Sequence, residues 1–238
     1  MLTGNNLTKK YQNREVLKGA DITIEPGKIT SLIGPSGSGK TTLLRILSML
    51  DLPDAGSIVF NNETYQFPED KNKNISPWPK ISVVFQQLFL WPHLTLRQNI
   101  LLPLRNNIDK QLIEELIDAL ELREFIDRHP NQVSIGQRQR VAIARAIALK
   151  PEYLLLDEIT SALDIEQVNA VLNYLLKLKE RGVGILVVSH LLNFAENASD
   201  SIVFLDEGKV LETGGKEILQ NPKHPRVQKF LSIVKSAS

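Results

Sequence analysis

The sequence predicts an α/β fold, with a mainly parallel β-sheet covered by helices and interrupted by one helical insertion. Two apolar runs, Tyr153–Leu156 and Ile185–Val188, are continuous rather than alternating, as expected for parallel strands buried on both faces. The helical pattern of Asp164–Arg181 lies between them, which is the order of a strand, a crossover helix and a second strand. Residues 87–150 carry helical patterns and no strand signal, so we expect an inserted helical subdomain there.

The N-terminal part predicts short strands and a helix around a glycine-rich loop. Residues 20–24 alternate between apolar and polar and are followed by Pro and Gly at 25–27, so we expect a strand and a hairpin. Lys28–Ile33 is a second short strand that runs into the loop. The apolar spacing of Leu43–Leu50 is that of a helix, which ends at the Pro and Gly of residues 51–56.

The remaining elements continue this alternation of strands and helices. Strands are expected at Ser57–Phe60, Ile81–Phe85 and Ile202–Leu205, and helices at Leu94–Leu104, Lys110–Leu122, Gly136–Lys150 and Pro222–Val234. The polar, proline-containing stretch Asn61–Lys80 is interpreted as an elaborated surface turn.

The composition is typical of a globular protein that buries a core, with 42% of the 238 residues hydrophobic and 23% charged. Lys and Arg (28) balance Asp and Glu (27), so the net charge of +1 gives no general attraction to nucleic acid. Cys is absent, which excludes disulfides and thiolate metal sites and suits a reducing cytosol. There is no run of about 18 apolar residues and no signal-peptide stretch in the first ten residues, so we expect another chain to form any membrane pathway.

The glycine-rich loop matches the phosphate-binding pattern G-x-x-x-x-G-K followed by Ser or Thr. Its residues, all expected to bind nucleotide, are Gly34, Pro35, Ser36, Gly37, Ser38, Gly39, Lys40, Thr41 and Thr42. Glycines let backbone N–H groups turn toward a phosphate, and the following helix presents its positive end. We expect Lys40 to neutralise the β- and γ-phosphate oxygens and the Thr41 hydroxyl to bind Mg²⁺. Because kinases, GTPases and many ATPases use such a loop, other residues must decide the reaction.

Two adjacent carboxylates end the apolar strand Leu154–Leu156, which is the Walker B arrangement. Asp157 is expected to hold Mg²⁺ through water, and Glu158 to polarise an attacking water. Taken alone, a strand that ends in Asp-Glu is also consistent with a solvated turn. Its position in a resumed parallel sheet downstream of the phosphate loop favours the catalytic interpretation, and the second carboxylate favours hydrolysis over transfer to a bound substrate.

Further motifs, in order along nearly the whole chain, resemble those of ABC transporter ATP-binding subunits. They are Tyr11, similar to the aromatic residue that stacks on adenine; Val84-Phe85-Gln86, similar to the Q-loop; Val133-Ser134-Ile135-Gly136-Gln137, similar to the signature Leu-Ser-Gly-Gly-Gln; Ser161–Asp164, similar to the D-loop; and Ser189-His190, similar to the H-switch. Alone, each has an ordinary alternative: a packing aromatic for Tyr11, a surface amide for Gln86, a helix N-cap for Ser134 and a structural histidine for His190. Their order and spacing together indicate the family.

The resemblance implies a P-loop NTPase (RecA-like) core with a mainly parallel sheet, an N-terminal antiparallel β subdomain and an inserted α-helical subdomain. Residues 2–234 would form one nucleotide-binding domain. Residues 1–86 and 151–238 would belong to the core and the antiparallel part, and residues 87–150 to the insertion that carries the signature.

The resemblance also implies that two copies close head to tail around two molecules of MgATP. Ser134, Gly136 and Gln137 would then act on the nucleotide held by the other copy, and Asp164 would communicate across the interface. His190 would contact the γ-phosphate beside Glu158, and Gln86 would serve both catalysis and Mg²⁺. Hydrolysis would depend on dimerisation.

Two positions depart from the family pattern. Ile135 replaces the first glycine of the signature and disfavours positive φ, which would matter if this position had to approach the nucleotide closely. If its side chain points away, nothing is lost, and since Gly136 is present we favour that outcome. Ile159 replaces a proline after Glu158, for which we expect a small effect.

These features favour an ATPase that powers transport through separate membrane permease subunits, at the cytoplasmic face of the inner membrane. The tail Asn221–Leu231 resembles that of polar amino acid importer ATPases, which implies import and a possible solute-binding protein. Phe89 and Trp91 would suit a docking groove for the permease, with ordinary core packing as the alternative. A soluble ABC-type ATPase that acts on nucleic acid or ribosomes is the alternative function, disfavoured by the single cassette, the absence of a long coiled coil and the near-neutral charge. A P-loop kinase would need neither the signature nor His190, and a sensor without turnover would lack Glu158.

Overall fold

The structure, a computed structural model, describes residues 1–73, 75–159, 163–189 and 192–237. The strands formed by these residues are β1 (Leu2–Tyr11), β2 (Arg14–Ile24), β3 (Ile29–Ile33), β4 (Ala55–Phe60), β5 (Glu63–Phe67), β6 (Ile81–Val84), β7 (Tyr153–Asp157), β8 (Gly184–Val188), β9 (Ser201–Asp206) and β10 (Lys209–Gly214). The helices are α1 (Lys40–Leu47), α2 (Leu96–Leu101), α3 (Lys110–Ala119), α4 (Ile135–Ala148), α5 (Ile165–Glu180), α6 (Leu192–Ala198), α7 (Glu217–Gln220) and α8 (Pro225–Ala237). Among the described helices, none combines the length and the apolar character needed to cross a bilayer.

The strands form two sheets. The larger has the order β10-β9-β3-β8-β7-β6, in which neighbours from β9 to β6 run parallel and β10 pairs antiparallel with β9. The smaller, with the order β2-β1-β4-β5, is antiparallel throughout. This confirms the predicted α/β class, the mainly parallel sheet and the N-terminal antiparallel part.

The larger sheet is buried on both faces, because alternate residues of its central strands enter different apolar clusters. Leu154 and Leu156 pack in a cluster with α2, α3, α4 and α5. Tyr153 and Leu155 pack in a second cluster with α1 and the antiparallel sheet. Helix α1 follows the phosphate loop, and helix α4 begins at the signature. The two helices therefore lie on opposite faces of one sheet.

The helical insertion lies between β6 and β7, which are direct neighbours in the sheet. Its helices share one apolar cluster with the sheet residues Ile29, Leu154 and Ile185. The boundaries of the insertion at residues 87 and 150 remain predictions. Its helices share a core with the sheet, so the packing does not separate the insertion from the rest of the domain.

Two sequence interpretations are wrong. The turn at residues 25–27 is not a hairpin, because β2 pairs with β1 whereas β3 pairs with β8 and β9 in the other sheet. The stretch Asn61–Lys80 is more than a turn, because it contains β5, which pairs with β4, and a single 3-10 turn at Glu69–Asn72. In both cases the local pattern identifies a chain reversal correctly but does not show which strand is the partner.

Candidate functional site

Four functional segments follow the carboxyl ends of adjacent parallel strands. The phosphate loop follows β3, Gln86 lies two residues beyond β6, Asp157 ends β7, and Ser189 follows β8. Leu32 of β3 pairs with Val188 of β8, which in turn pairs with Asp157. Because these ends share one edge of the sheet, the fold brings the predicted phosphate loop and the predicted carboxylates together.

The phosphate loop needs its glycines for two different reasons. Gly34, Gly37 and Gly39 have φ values of 152°, 77° and 108°, which L-residues with side chains rarely adopt. At Gly34 there is also no room, because a Cβ atom would lie 2.0 Å from the carbonyl oxygen of Leu205. At Gly37 a Cβ atom would have nothing within 4 Å, so the requirement there is conformational only.

Helix α1 begins directly after the loop, with Gly39 as its N-cap and no side chain capping it. Its first turn carries Lys40, Thr41 and Thr42, while Leu43 and Leu44 anchor it in the core. A helix whose first N–H groups lack a side-chain partner is a ready anion site, since the groups and the dipole both favour negative charge.

The side chain of Lys40 lies inside the loop rather than in solvent. Its Nζ atom donates to the carbonyl oxygens of Gly34 and Pro35, each at 2.9 Å, and the residue is only 5% exposed. Burial lowers the pKa of Lys40, although the charges of Glu158, Asp157 and Asp206 act in the opposite direction. Since β8 lies between β3 and β7 in the sheet, the lysine and the two Walker B carboxylates lie at the same edge of the sheet.

The two Walker B carboxylates differ in their surroundings. Asp157 is 3% exposed, whereas Glu158 is half-buried and has a positive φ of 52°. The Glu158 backbone is held on both sides, because its N–H donates to the carbonyl of Val188 at 2.9 Å and its carbonyl accepts from Nε2 of Gln139 at 3.4 Å. Ile159, at the position where the family has proline, is fully buried in the core.

Gln86 is exposed, and the loop that follows it is fixed by two residues that the sequence does not single out. Arg145 of α4 donates to the carbonyls of Leu88 and Phe89, both at 2.8 Å, and its guanidinium lies 5.3 Å from the ring centre of Trp91. Asn99, fully buried in α2, accepts from the N–H of Trp91 at 2.7 Å and donates to its carbonyl at 3.1 Å. Both residues sit within ordinary helical patterns, so no sequence signal distinguishes them.

Tyr11 lies beside helix α1 at the end of β1. Its hydroxyl donates to the carboxylate of Asp51, and the Nζ atom of Lys9 lies 5.4 Å from its ring centre. Partial burial and the Asp51 carboxylate raise the pKa of Tyr11 to about 12. The residue is 43% exposed.

The signature segment forms the start of α4. Ser134 is the N-cap: its Oγ accepts from the N–H of Gln137 at 3.1 Å, and its own N–H donates to Oε1 of Gln137 at 2.9 Å. Ile135, the first residue of the helix, has no positive φ, and the residue is 57% exposed. Gly136 is buried. The isoleucine therefore fits this backbone and points away from the core.

Asp164 is likewise an N-cap, because its carboxylate accepts from the N–H of Gln167 at 2.8 Å at the start of α5. His190 and Ser161, predicted for the H-switch and the D-loop, lie outside the described residues.

The oxygen donors predicted for Mg²⁺ are the hydroxyl of Thr41, the amide of Gln86 and the carboxylate of Asp157. These are the hard donors that Mg²⁺ prefers. Within the described ranges there is no group of three or more His, Cys, Asp or Glu side chains that would enclose a metal ion. Such a small donor set fits an ion that keeps several waters and completes its shell with phosphate oxygens.

The chain is similar to known ATP-binding proteins of transport systems. The family model described as ABC transporter matches residues 17–161. The chain is 40% identical to the L-cystine import ATP-binding protein TcyC of Bacillus subtilis (strain 168), covering 98% of both chains. It is 39% identical to the histidine/lysine/arginine/ornithine transport ATP-binding protein HisP of Escherichia coli (strain K12), covering 95% of both. It is also 40% identical to the glutamine transport ATP-binding protein GlnQ of B. subtilis (strain 168), covering 98% of this chain and 99% of that one.

A solved structure of a dimeric ATP-binding cassette in a post-hydrolysis state, bound to ADP and Pi, shares 35% identity and a TM-score of 0.81 with the chain. The match covers 91% of this chain and 99% of that one. Since the family model spans more than half of the chain and the relatives align with nearly all of it, the chain belongs to the ABC transporter family, as one of its ATP-binding cassettes.

Proposed function

We propose that the chain is the ATP-hydrolysing subunit of an amino acid importer and works with separate membrane permease subunits. The names of three relatives refer to import or transport of cystine, of glutamine and of basic amino acids. Their alignment with nearly the full chain supports the same class of solute. A solute-binding protein would be a further component of the system, and the chain would lie at the cytoplasmic face of the inner membrane.

Nucleotide binding would use the phosphate loop and the start of α1. The β- and γ-phosphates would take the place of the carbonyl oxygens of Gly34 and Pro35 as partners of the Lys40 ammonium. The other loop residues would donate backbone N–H groups, and Thr41 and Thr42 would add hydroxyls. Tyr11 would stack on the adenine ring, since the residue is 43% exposed.

Thr41, Gln86 and Asp157 would hold Mg²⁺, which when bound neutralises charge on the phosphate oxygens. Glu158 would act as the general base that polarises the attacking water, and His190 would contact the γ-phosphate. The backbone of Glu158 is fixed between Val188 and Gln139, which would keep its carboxylate aimed at one point.

The complete site would need a second copy of the chain. Helices α1 and α4 pack on opposite faces of the sheet, so the signature is carried away from the phosphate loop of its own chain. The solved cassette with 35% identity is dimeric. In a head-to-tail pair, Ser134, Gly136 and Gln137 would present the N-terminus of α4 to the partner's γ-phosphate, and Asp164 would lie at the interface.

The permease would dock on the loop that follows Gln86. Phe89 and Trp91 are exposed there, and Arg145 and Asn99 hold the loop from behind. A cavity of about 410 Å³ beside this loop is lined by Trp78, Phe85, Trp91 and Arg145, among others. An exposed aromatic surface on a fixed backbone is the kind of site that accepts an apolar segment of a partner.

The observation that carries the proposal is that the phosphate loop with Lys40, after β3, and the carboxylates Asp157 and Glu158, at the end of β7, lie at the same edge of the sheet. The test is Glu158→Gln, which keeps the shape of the side chain but removes the base. We expect ATP turnover to fall about 100-fold or more while the affinity for ATP changes less than about twofold, and a dimer with trapped ATP to appear in light scattering.

Glu152→Gln is the matched control, because Glu152 precedes the same strand at its opposite end and is exposed. It should retain the turnover of the unsubstituted chain. Unchanged hydrolysis in Glu158→Gln would show that Glu158 is not the general base. If ATP binds to a chain that stays monomeric, the proposal that two copies share the site would be wrong.

A further inference from the structure

The C-terminal helix α8 forms an ion pair with the strand that backs the phosphate loop. Nε of Arg226, in the first turn of α8, lies 2.5 Å from Oδ2 of Asp206, the last residue of β9. The Asp206 side chain is only 7% exposed, whereas the Arg226 side chain is 43% exposed. A buried carboxylate is therefore paired with an arginine that the C-terminal tail supplies.

Asp206 begins a tight turn that touches the phosphate loop. Its other carboxylate oxygen accepts from the N–H of Glu207 at 2.9 Å. Two residues on, the N–H of Gly208 donates to the carbonyl of Ser38 at 3.0 Å. Gly208 has a φ of 80°, and a Cβ atom there would lie 2.4 Å from the carbonyl oxygen of Val16, so this position has no room for a side chain. The Ser38 carbonyl is thus positioned by a turn whose first residue is held by Arg226.

The start of α8 is itself fixed in place. The carboxylate of Glu212 in β10 accepts from the N–H groups of Lys223 and His224, at 2.9 and 3.0 Å. Nδ1 of His224 accepts from the N–H of Arg226 at 3.1 Å. Val227 and Leu231 of the same helix pack in one cluster with Ile33, the residue that precedes the phosphate loop. Arg226 therefore reaches Asp206 from a rigid support.

We propose that Arg226 is a positioning residue for nucleotide binding, acting through Asp206 and the Gly208 turn on the phosphate loop. This inference rests on the proposed nucleotide site and gives the tail Asn221–Leu231 a role within the cassette. Arg226 does not touch the nucleotide in this proposal. It fixes the turn that orients Ser38, and it balances a carboxylate that would otherwise repel a triphosphate.

Asp206 and Arg226 line the same cavity as residues 35–38 of the phosphate loop. The charge of Asp206 therefore lies beside the place where a phosphate would bind. If Arg226 is removed, that carboxylate stays buried and loses its cation. Loss of Arg226 should then weaken the binding of a polyanion and leave the rate of the catalytic step nearly unchanged.

The experiment compares Arg226→Gln, Arg226→Lys, Asp206→Asn and the double variant Asp206→Asn/Arg226→Gln by steady-state ATPase kinetics and nucleotide titration. For Arg226→Gln we expect KM and Kd for ATP to rise about threefold to tenfold with kcat within about twofold. Arg226→Lys should recover most of the loss. The double variant should bind ATP better than Arg226→Gln, because the uncompensated charge is gone.

The matched control is Lys229→Gln, which removes a charge from an exposed position of α8 that has no side-chain ion pair among the described residues. Its KM should match that of the unsubstituted chain. If Arg226→Gln lowers the melting temperature but leaves KM and Kd unchanged, the role is structural and the inference is wrong. Should Arg226→Gln fail to fold, the double variant Asp206→Asn/Arg226→Gln decides. The turn still lacks the ion pair in that variant, so its Kd for ATP should stay above that of the unsubstituted chain, and an unchanged Kd would overturn the inference.

Failure of the proposed function would give a different result. If the unsubstituted chain does not bind ATP, the proposed function fails. If it binds ATP normally and all the Arg226 and Asp206 variants do so equally well, only the positioning role is lost.

Discussion

The Nζ atom of Lys40 lies 2.9 Å from the carbonyl oxygen of Gly34, the first residue of its own phosphate loop. A second bond of the same length goes to Pro35. The ammonium group is thus satisfied by the loop's carbonyls at the place where a phosphate would lie. Burial lowers its pKa, so the loop holds a desolvated cation that a bound polyanion would stabilise.

We therefore expect Lys40→Ala to weaken ATP binding by about 10-fold to 100-fold, because charge-assisted hydrogen bonds to phosphate are worth about 1.5–3 kcal/mol. Titration with a fluorescent ATP analogue measures the change. Lys209→Ala, at an exposed position of β10, serves as the control and should bind normally. Undiminished affinity in Lys40→Ala would exclude the lysine from the site.

Tyr11 offers a test that separates base recognition from phosphate recognition. Tyr11→Ala should cost about 1–3 kcal/mol of ATP affinity, the range for stacking of a base on an aromatic ring. Tyr11→Phe keeps the ring and loses only the bond to Asp51, so it should bind ATP within about twofold of the unsubstituted chain. Neither variant should change the affinity for inorganic tripolyphosphate, which has no base. A loss of tripolyphosphate binding in Tyr11→Ala would show that Tyr11 acts by supporting the loop instead.

The core of the site can be predicted because its signals are local. The glycines around Lys40 and the apolar strand before Asp157 are contiguous in sequence, and the ends of parallel strands share one edge. By contrast, β1 is not evident from the sequence, because its pairings with β2 and β4 contain register shifts that break the two-residue alternation. The strand β5 resembles a turn in sequence because it has one buried residue, Phe67.

The residues that support the site are not predictable, because their partners are distant in sequence. Arg145 bonds to Phe89 across 56 positions, and Arg226 bonds to Asp206 across 20. Arginines within helical patterns normally lie on solvated faces, and only the tertiary fold shows that these two do not. The effect of Ile135 is also not predictable from the sequence, because it depends on the backbone dihedral angles of the signature.

At Ile135 the structure gives a definite expectation. The residue is the first of α4, has no positive φ, and exposes its side chain, so this backbone does not require glycine. Ile135→Gly should leave kcat and KM within about twofold and should lower stability by about 0.5–1 kcal/mol, the cost of glycine in a helix. ATPase assays and thermal unfolding measure both. A gain in turnover of tenfold or more would show that the isoleucine obstructs the shared site.

The division of the site between two chains can be tested by mixing two inactive variants. Ser134→Asp keeps a good N-cap for α4 but places a negative charge where the partner's γ-phosphate would lie. Lys40→Ala disables the phosphate loop. A mixed dimer then has one site with both defects and one intact site, so an equal mixture should recover up to about a quarter of full activity if subunits pair at random. Mixtures as inactive as either variant alone would contradict a site shared in this way.

The loop that carries Phe89 and Trp91 should lose its fixed shape when Arg145 is replaced. Arg145 makes two bonds to loop carbonyls and lies against the Trp91 ring, which a lysine cannot reproduce because it lacks the planar, forked guanidinium. In Arg145→Lys, amide hydrogen exchange across residues 88–95 should therefore accelerate about tenfold. Arg138→Lys on the same helix is the control, because no side-chain bond of Arg138 is found among the described residues, and it should leave exchange in this loop unchanged. If exchange is the same in Arg145→Lys and the unsubstituted chain, the loop is held by Asn99 alone, and α4 has no direct mechanical link to the surface proposed for the permease.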